Sequence, residues 1–255
     1  MGSAAAVAAW ALMPPGFEVA GIGATVAGMS GYIATRVWSV RSQWAVPTVF
    51  RLPAGTPHLA LTFDDGPDPE ITPRVLDLLA EYGAQATFFV VGSRVAAFPG
   101  VLRRVHAAGH QIGSHSYAHA FGFHLLGVQR MAQEIERGRA AIAGVTGELP
   151  LAFRPPVGLR VPTLRRALRR IDAPLVCYTW TERGLDTLGR PANAIVARLA
   201  PWLIPRSILT LHDGSGFGGS ADRTATLAAL RELLQKLRDR GLASRRLDAP
   251  AVAQA

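Results

Sequence analysis

The sequence predicts an α/β fold in which parallel strands alternate with helices. Two observations predict it. After Pro53 the chain breaks into seven short apolar runs. The stretches between them carry apolar residues at helical spacing, ~3.6 residues per turn. Strands that alternate with helices pair in parallel through right-handed crossovers. A chain of 255 residues has the length for a closed or nearly closed barrel, ordinarily one domain. In such barrels reactive side chains gather at the C-terminal ends of the strands.

The strand candidates, in order, are His58–Thr62, Ala86–Val91, Gln111–Gly113, Leu151–Phe153, Pro174–Tyr178, Ser207–Leu211 and Leu242–Arg246. Helical patterns lie between them at Pro73–Tyr82, where Val75, Leu78 and Leu79 face inward, and at Gln129–Ala143. A third runs over Ala221–Arg240, with Leu227, Leu230, Leu234 and Leu237 on one face. Thr72 ahead of Pro73 reads as an N-cap, and Gly83 and Gly241 read as helix-terminating glycines.

Hydrophobic residues make up 49% of the chain and charged ones 18%, which excludes a disordered protein. The net charge of +9 is almost all arginine, with Lys236 the single lysine. No nucleic-acid motif accompanies that charge, and no nucleic-acid partner is expected. The one arginine cluster, Arg165, Arg166, Arg169 and Arg170, has helical spacing and reads as a solvated face. Cys177 stands alone in an apolar run, so it reads as a buried, inert thiol.

Residues 1–45 are a different material. From Gly2 to Ala34 the only charge is Glu18, and Met13-Pro14-Pro15-Gly16 divides the segment. Ser3–Leu12 is too short to span a bilayer, which takes ~20 helical residues. Val19–Ala34 is marginal, and reaches Val40 if Arg36 snorkels. A single anchor, a short two-pass hairpin, an uncleaved signal and a helical arm packed on the domain all fit this composition. The expectation is an apolar helical arm that attaches the protein to a membrane through residues 1–40. The arm is expected to leave the rest of the chain on the periplasmic or extracellular side. The predicted domain spans 53–247, and 248–255 reads as a flexible tail.

Reactive residues do follow the strands. The first runs into Thr62-Phe63-Asp64-Asp65-Gly66-Pro67, where adjacent carboxylates need a cation or hydrogen-bond donors to offset their repulsion. The third runs into His115-Ser116-Tyr117-Ala118-His119. Histidines four apart on a helical turn present two imidazoles to one point, an arrangement that zinc and similar divalent metals accept. A third ligand from another strand end would leave open positions for water and substrate. Ser116 stands where the metalloprotease motif has its glutamate, so the general base must come from elsewhere, and Asp64 or Asp65 is available. Arg154, ahead of Pro155 and Pro156, sits on stiff extended backbone suited to clamping a carboxylate. His212, at the mouth of the sixth run, is a natural general acid.

These motifs in this order resemble the polysaccharide deacetylases that share the NodB homology domain, carbohydrate esterase family 4, over about Leu59–Arg246. The resemblance implies a distorted (β/α)7 barrel. It implies that Asp64 is the general base, that Asp65, His115 and His119 hold a divalent metal, and that His212 is the general acid. Zinc is the expected metal, with cobalt or nickel as alternatives. Arg154 would position Asp64, and Asp186 would tune His212. Pro156, Val157 and Leu211 would contact substrate, with the Val157 amide at the oxyanion and Leu211 against the acyl methyl. The implied reaction is hydrolysis of an N-acyl group, acetyl first, from amino-sugar units of a glycan, polymeric or lipid-linked.

The sequence departs from the family pattern at three places. Val157 stands where an aromatic residue is usual. In Trp180-Thr181-Glu182-Arg183-Gly184-Leu185-Asp186-Thr187, Arg183 replaces an acid and Thr187 a tryptophan. These changes disfavour a bulky crystalline polymer and favour a smaller or lipid-linked glycan. A deformylase of a lipid-linked amino sugar would use the same residues. A non-catalytic sugar-binding protein with a vestigial site, or a metal-storage module, would not need Asp64, Arg154 and His212 together. The Gly214–Gly219 run fits a dinucleotide-binding pattern, but too little chain follows it for that fold.

Overall fold

Seven parallel strands form one curled sheet in the order β5-β4-β3-β2-β1-β7-β6. They are β1 (Ala60–Asp64), β2 (Ala86–Val90), β3 (Gln111–Ser114), β4 (Ala152–Phe153), β5 (Val176–Cys177), β6 (Glu182–Arg183) and β7 (Ile208–His212). The computed structural model describes residues 42–171, 174–215 and 222–247, with Gly28, Gly31 and Ser39 ahead of them. Apart from those three residues, the expected membrane arm lies outside the described residues, as does the expected tail 248–255. Among the described residues no helix is long and apolar enough to cross a membrane.

Every strand pairing is parallel, and the distorted (β/α)7 barrel is the architecture observed. β1 and β2 are buried on both faces, as parallel strands covered on two sides must be. Leu61 and Phe63 of β1 face the helices, in one core cluster with Phe88 and with Val75, Leu79, Leu230 and Leu234. The rings of Phe63 and Phe88 stack with centroids 5.0 Å apart. The alternate residues Ala60, Phe89, Tyr178 and Ile208 share a second cluster.

The helices are α1 (Ile71–Glu81), α2 (Gly92–Ala97), α3 (Pro99–Ala107), α4 (Val128–Thr146), α5 (Pro162–Arg170), α6 (Ala192–Leu199) and α7 (Thr224–Asp239). The leucines expected inward on α7 are buried. The arginine cluster on α5 is exposed, and Cys177 is buried with its thiol pushed up to about 12 by burial. Thr72 is not the cap of α1. Asp68 Oδ1 accepts the amides of Glu70 and Ile71 at 2.9 Å, so the helix starts before Thr72. Gly83 and Gly241 take left-handed backbone, φ 59° and 62°, after α1 and α7.

The seventh strand is not where the apolar pattern put it. Leu242–Arg246 makes one isolated bridge, Leu59 to Ser244. It runs along the base of β1 and β2, where Ser244 Oγ accepts the Leu61 amide and donates to the Gln85 carbonyl. The seventh strand is β6, whose two residues are both charged, so no apolar run marks it. Residues 49–52 connect the two sides of the sheet, Val49 bridging to Tyr178 just after β5 and Arg51 to Ser207 just ahead of β7. Arg160, 2% exposed, fastens the chain just ahead of this by donating to the Ser39 and Ser42 carbonyls and to Thr48 Oγ1. Ala45 and Val46 pack into the core there.

Candidate active site

The C-terminal ends of β1, β3, β4 and β7 deliver Asp64, His115, Arg154 and His212 to one end of the barrel. Asp64 is the last residue of β1, in register with His212 of β7. Asp65 then takes φ 75°, a left-handed turn that β-sheet backbone does not make. Adjacent strand residues would face opposite sides; the turn instead lets both carboxylates line the same pocket. Gly66 is required behind them, because a Cβ there would run into the Asp213 carboxylate. The Gly66–Pro67 peptide is cis.

His115 and His119 were expected on a helical turn. They lie in a loop after β3, which Ser116 and His119 bend with φ 70° and 46°. Ser116 Oγ accepts the His119 amide and so holds that bend closed. The outcome is the convergence that a helix would have given, with ring centroids 4.8 Å apart.

Nε2 of His115 lies 3.6 Å from Asp65 Oδ1, and Nε2 of His119 lies 3.2 Å from it. Their ligand atoms fall within 4.8 Å of one another, and all three residues are buried. His115 Nδ1–H donates to the Arg154 carbonyl at 2.7 Å, leaving the Nε2 lone pair free to ligate. Burial lowers the His115 pKa to about 4, against the opposing pull of Asp64 and Asp65. A neutral imidazole is the form that ligates a metal. Asp65 Oδ1 is buried and accepts no hydrogen bond. A carboxylate oxygen so placed is costly unless a cation takes it. The donor set therefore fits a divalent cation with open positions.

Arg154 is fully buried. It donates from Nη1 to Asp64 Oδ1 at 2.6 Å and to Thr62 Oγ1 at 2.9 Å, and from Nη2 to the Thr179 carbonyl at 2.8 Å. Its guanidinium lies 4.1 Å from the centroid of the Phe89 ring. Burial lowers the Arg154 pKa, and Asp64 opposes that shift. The two charges are each other's main compensation.

Across the pocket Asp186 binds His212 twice. Oδ1 lies 2.8 Å from Nδ1, and Oδ2 accepts the His212 amide at 2.9 Å. Thr226 Oγ1 also donates to Oδ2. Burial would lower the His212 pKa, but Asp186, and then Asp65 and Asp64, raise it to about 9. Burial would raise the Asp186 pKa, but His212 brings it below the usual value. Asp213, beside His212, is buried, and burial raises its carboxyl to about 7 although the Thr72 hydroxyl donates to it at 2.5 Å.

The pocket these groups share has a volume of about 330 Å³. Val157 lines it, at φ 60°, together with Gly158, whose Cα meets the Trp180 ring so closely that no Cβ would fit. Pro156 is buried and is not among the lining residues. Leu211 requires a correction. It is 1% exposed and packs in the core with Leu61, Phe63 and the leucines of α7, away from the pocket. Successive residues of a strand face opposite sides; with His212 in the pocket, Leu211 turns to the helices and Thr210 takes the lining position.

Thr210, Trp180, Leu185 and Arg223 also line the pocket and were not read as site residues. Strand parity alone would have found Thr210. Arg223 leaves no local signal, since it reaches the pocket from the start of α7.

Comparison with known proteins agrees with the geometry. A family model for polysaccharide deacetylases matches residues 51–176. A peptidoglycan-N-acetylglucosamine deacetylase of Bacillus cereus is 33% identical over 198 residues, covering 78% of this chain and 87% of the relative. A chitooligosaccharide deacetylase of Sinorhizobium fredii is 34% identical over 206 residues, covering 78% and 94%. The crystal structure of the Bc1960 peptidoglycan N-acetylglucosamine deacetylase, in complex with 4-naphthalen-1-yl-N-oxidanyl-benzamide, superposes with a TM-score of 0.71 at 28% identity. It covers 78% of this chain and 89% of that one.

Proposed function

The chain belongs to the polysaccharide deacetylase family, and on that premise we propose that it hydrolyses the N-acetyl amide of an amino sugar in a glycan. Asp65, His115 and His119 would hold a divalent cation. Two imidazoles and a carboxylate suit zinc, with cobalt or nickel as substitutes. When bound, the cation supplies Lewis acidity for the attacking water and the amide carbonyl.

The chain's own residues manage the protons. Asp64, held at Oδ1 by Arg154, accepts a proton from the water as its oxygen bonds to the acyl carbon. His212, kept as imidazolium by Asp186, gives its Nε2 proton to the amide nitrogen as the C–N bond breaks. Acetate and the free sugar amine leave. Arg154 keeps the Asp64 carboxylate from turning away from the pocket. Val157 is proposed to offer its backbone N–H to the oxyanion.

One observation carries this reading: a base held by arginine, a three-ligand cation site and an acid held by a carboxylate all line one pocket. A sugar-binding protein would need none of the three. The full chain loaded with Zn²⁺ should release acetate from N-acetylglucosamine oligomers, and should lose that activity on chelation and regain it with Zn²⁺ or Co²⁺. Release of nothing with any metal would refute it, and formate from N-formyl sugars instead of acetate would reassign the acyl group. Residues 1–40 are proposed as a membrane attachment that leaves the barrel on the periplasmic or extracellular side. Recovery of the full chain in the membrane fraction after an alkaline wash would support that, and recovery in the soluble fraction would contradict it.

A further inference from the structure

We propose, resting on the deacetylase reading of this pocket, that the amino sugar it takes carries an oxyanion, phosphate or carboxylate, received by Arg183 on the β6 wall. Arg183 pairs in register with Thr210, two residues before His212 on the same face of β7. Neighbouring strands lie ~4.8 Å apart, so the Arg183 backbone lies one strand spacing from the pocket's own Thr210. It is half-buried, lines the pocket, and lies 5.3 Å from the centroid of the Trp180 ring. A guanidinium beside an aromatic face presents a planar fork suited to an oxyanion.

Among the described residues no carboxylate forms an ion pair with it. The nearest acid in sequence, Glu182, gives its Oε1 to Arg198 at 2.6 Å and to the Arg183 amide at 3.0 Å. Asp64 is taken by Arg154 and Asp186 by His212. Arg223, a second buried arginine of the same pocket, spends its N–H groups on the carbonyls of Gly214 and Asp186; among the described residues it forms no carboxylate ion pair, and the charge that acts on it is that of the exposed Asp222 next to it in the chain. Burial, and then the like charge of Arg198, lowers the Arg183 pKa, and Glu182 opposes that shift without reversing it. A neutral sugar would leave both arginines without a carboxylate ion pair in the pocket, whereas an oxyanion would supply one.

The test is equilibrium binding to the zinc-loaded full chain of three sugars: neutral N-acetylglucosamine, its 1-phosphate, and N-acetylmuramic acid, which carries a carboxylate. The expected result is roughly tenfold tighter binding of at least one anionic sugar, about 1.4 kcal/mol. The one that gains more identifies the source of the charge. Because the cation itself attracts anions equally in both proteins, Arg183→Gln isolates the arginine. The anionic advantage should fall to about twofold or less, with partial recovery in Arg183→Lys. Raising salt should weaken the anionic sugars and spare the neutral one, which serves if the glutamine variant fails to fold. Equal affinities in the wild type, an advantage untouched by Arg183→Gln, or no salt effect would overturn the proposal. Acyl release from the same sugars is read separately. Anion preference without release in any metal would sink the deacetylase reading and leave the oxyanion site standing.

Discussion

Asp65, His115 and His119 are each no more than 5% exposed, whereas Leu188, which lines the same pocket, is 66% exposed. On the buried side Asp64 is bound to Arg154 and His115 to the Arg154 carbonyl, groups that the fold has already placed. Changing one member strands its partner in low dielectric, a loss of several kcal/mol. The β6 wall carries Arg183 half-buried and Thr187 open to solvent. Substitution there leaves no buried partner behind. The contrast teaches where such a site can vary: the departures from the family pattern at Arg183 and Thr187 fall on the wall, and the groups that handle metal and protons keep the pattern.

The largest effect should come from breaking the buried side. His115→Ala removes one of three ligands, and both bound zinc, measured by elemental analysis, and acetate release should fall to background.

Asp186→Asn sharpens the comparison, because it touches the acid and leaves the ligands alone. The His212 titration, followed by NMR in the metal-free protein, should move from about 9 toward 6.5. Turnover should fall roughly 10- to 100-fold, part of what general acid catalysis contributes. The sign for stability follows from the raised pKa: the His212–Asp186 pair contributes fully below about 6.5 and its contribution is lost as pH rises through about 9. Wild type should therefore lose more stability than Asp186→Asn across that window. An unmoved His212 titration would count against the pairing.

The smallest effect lies at the rim. Val157 is β-branched at φ 60°, ψ 0°, where an L-residue costs ~1–2 kcal/mol. Glycine recovers that but adds ~0.5–1 kcal/mol of unfolded-state freedom. Val157→Gly should thus raise stability by roughly 0.5–1 kcal/mol, a melting point about 2 °C higher. A lower melting point would show that the valine side chain packs better than its half-burial implies.

Much of this was legible because catalytic residues follow apolar strands. Asp64, Asp65, His115, Arg154 and His212 each come directly after or at the end of a run that periodicity detects. What was illegible lacked that marker. β6 is Glu182–Arg183, two charges whose pairing with β7 is decided by tertiary context. The loop from His115 to His119 has helical spacing, but left-handed residues set its shape. Leu211 was misplaced although the alternation of strand side chains, applied from His212, turns it away from the pocket.

The central claim is a division of labour between adjacent carboxylates, one on the cation and one free to take a proton. Metal content and turnover of Asp64→Asn test it together. The account predicts zinc at the wild-type level with acetate release reduced by about 10²–10⁴-fold. Loss of zinc in parallel with activity would contradict it.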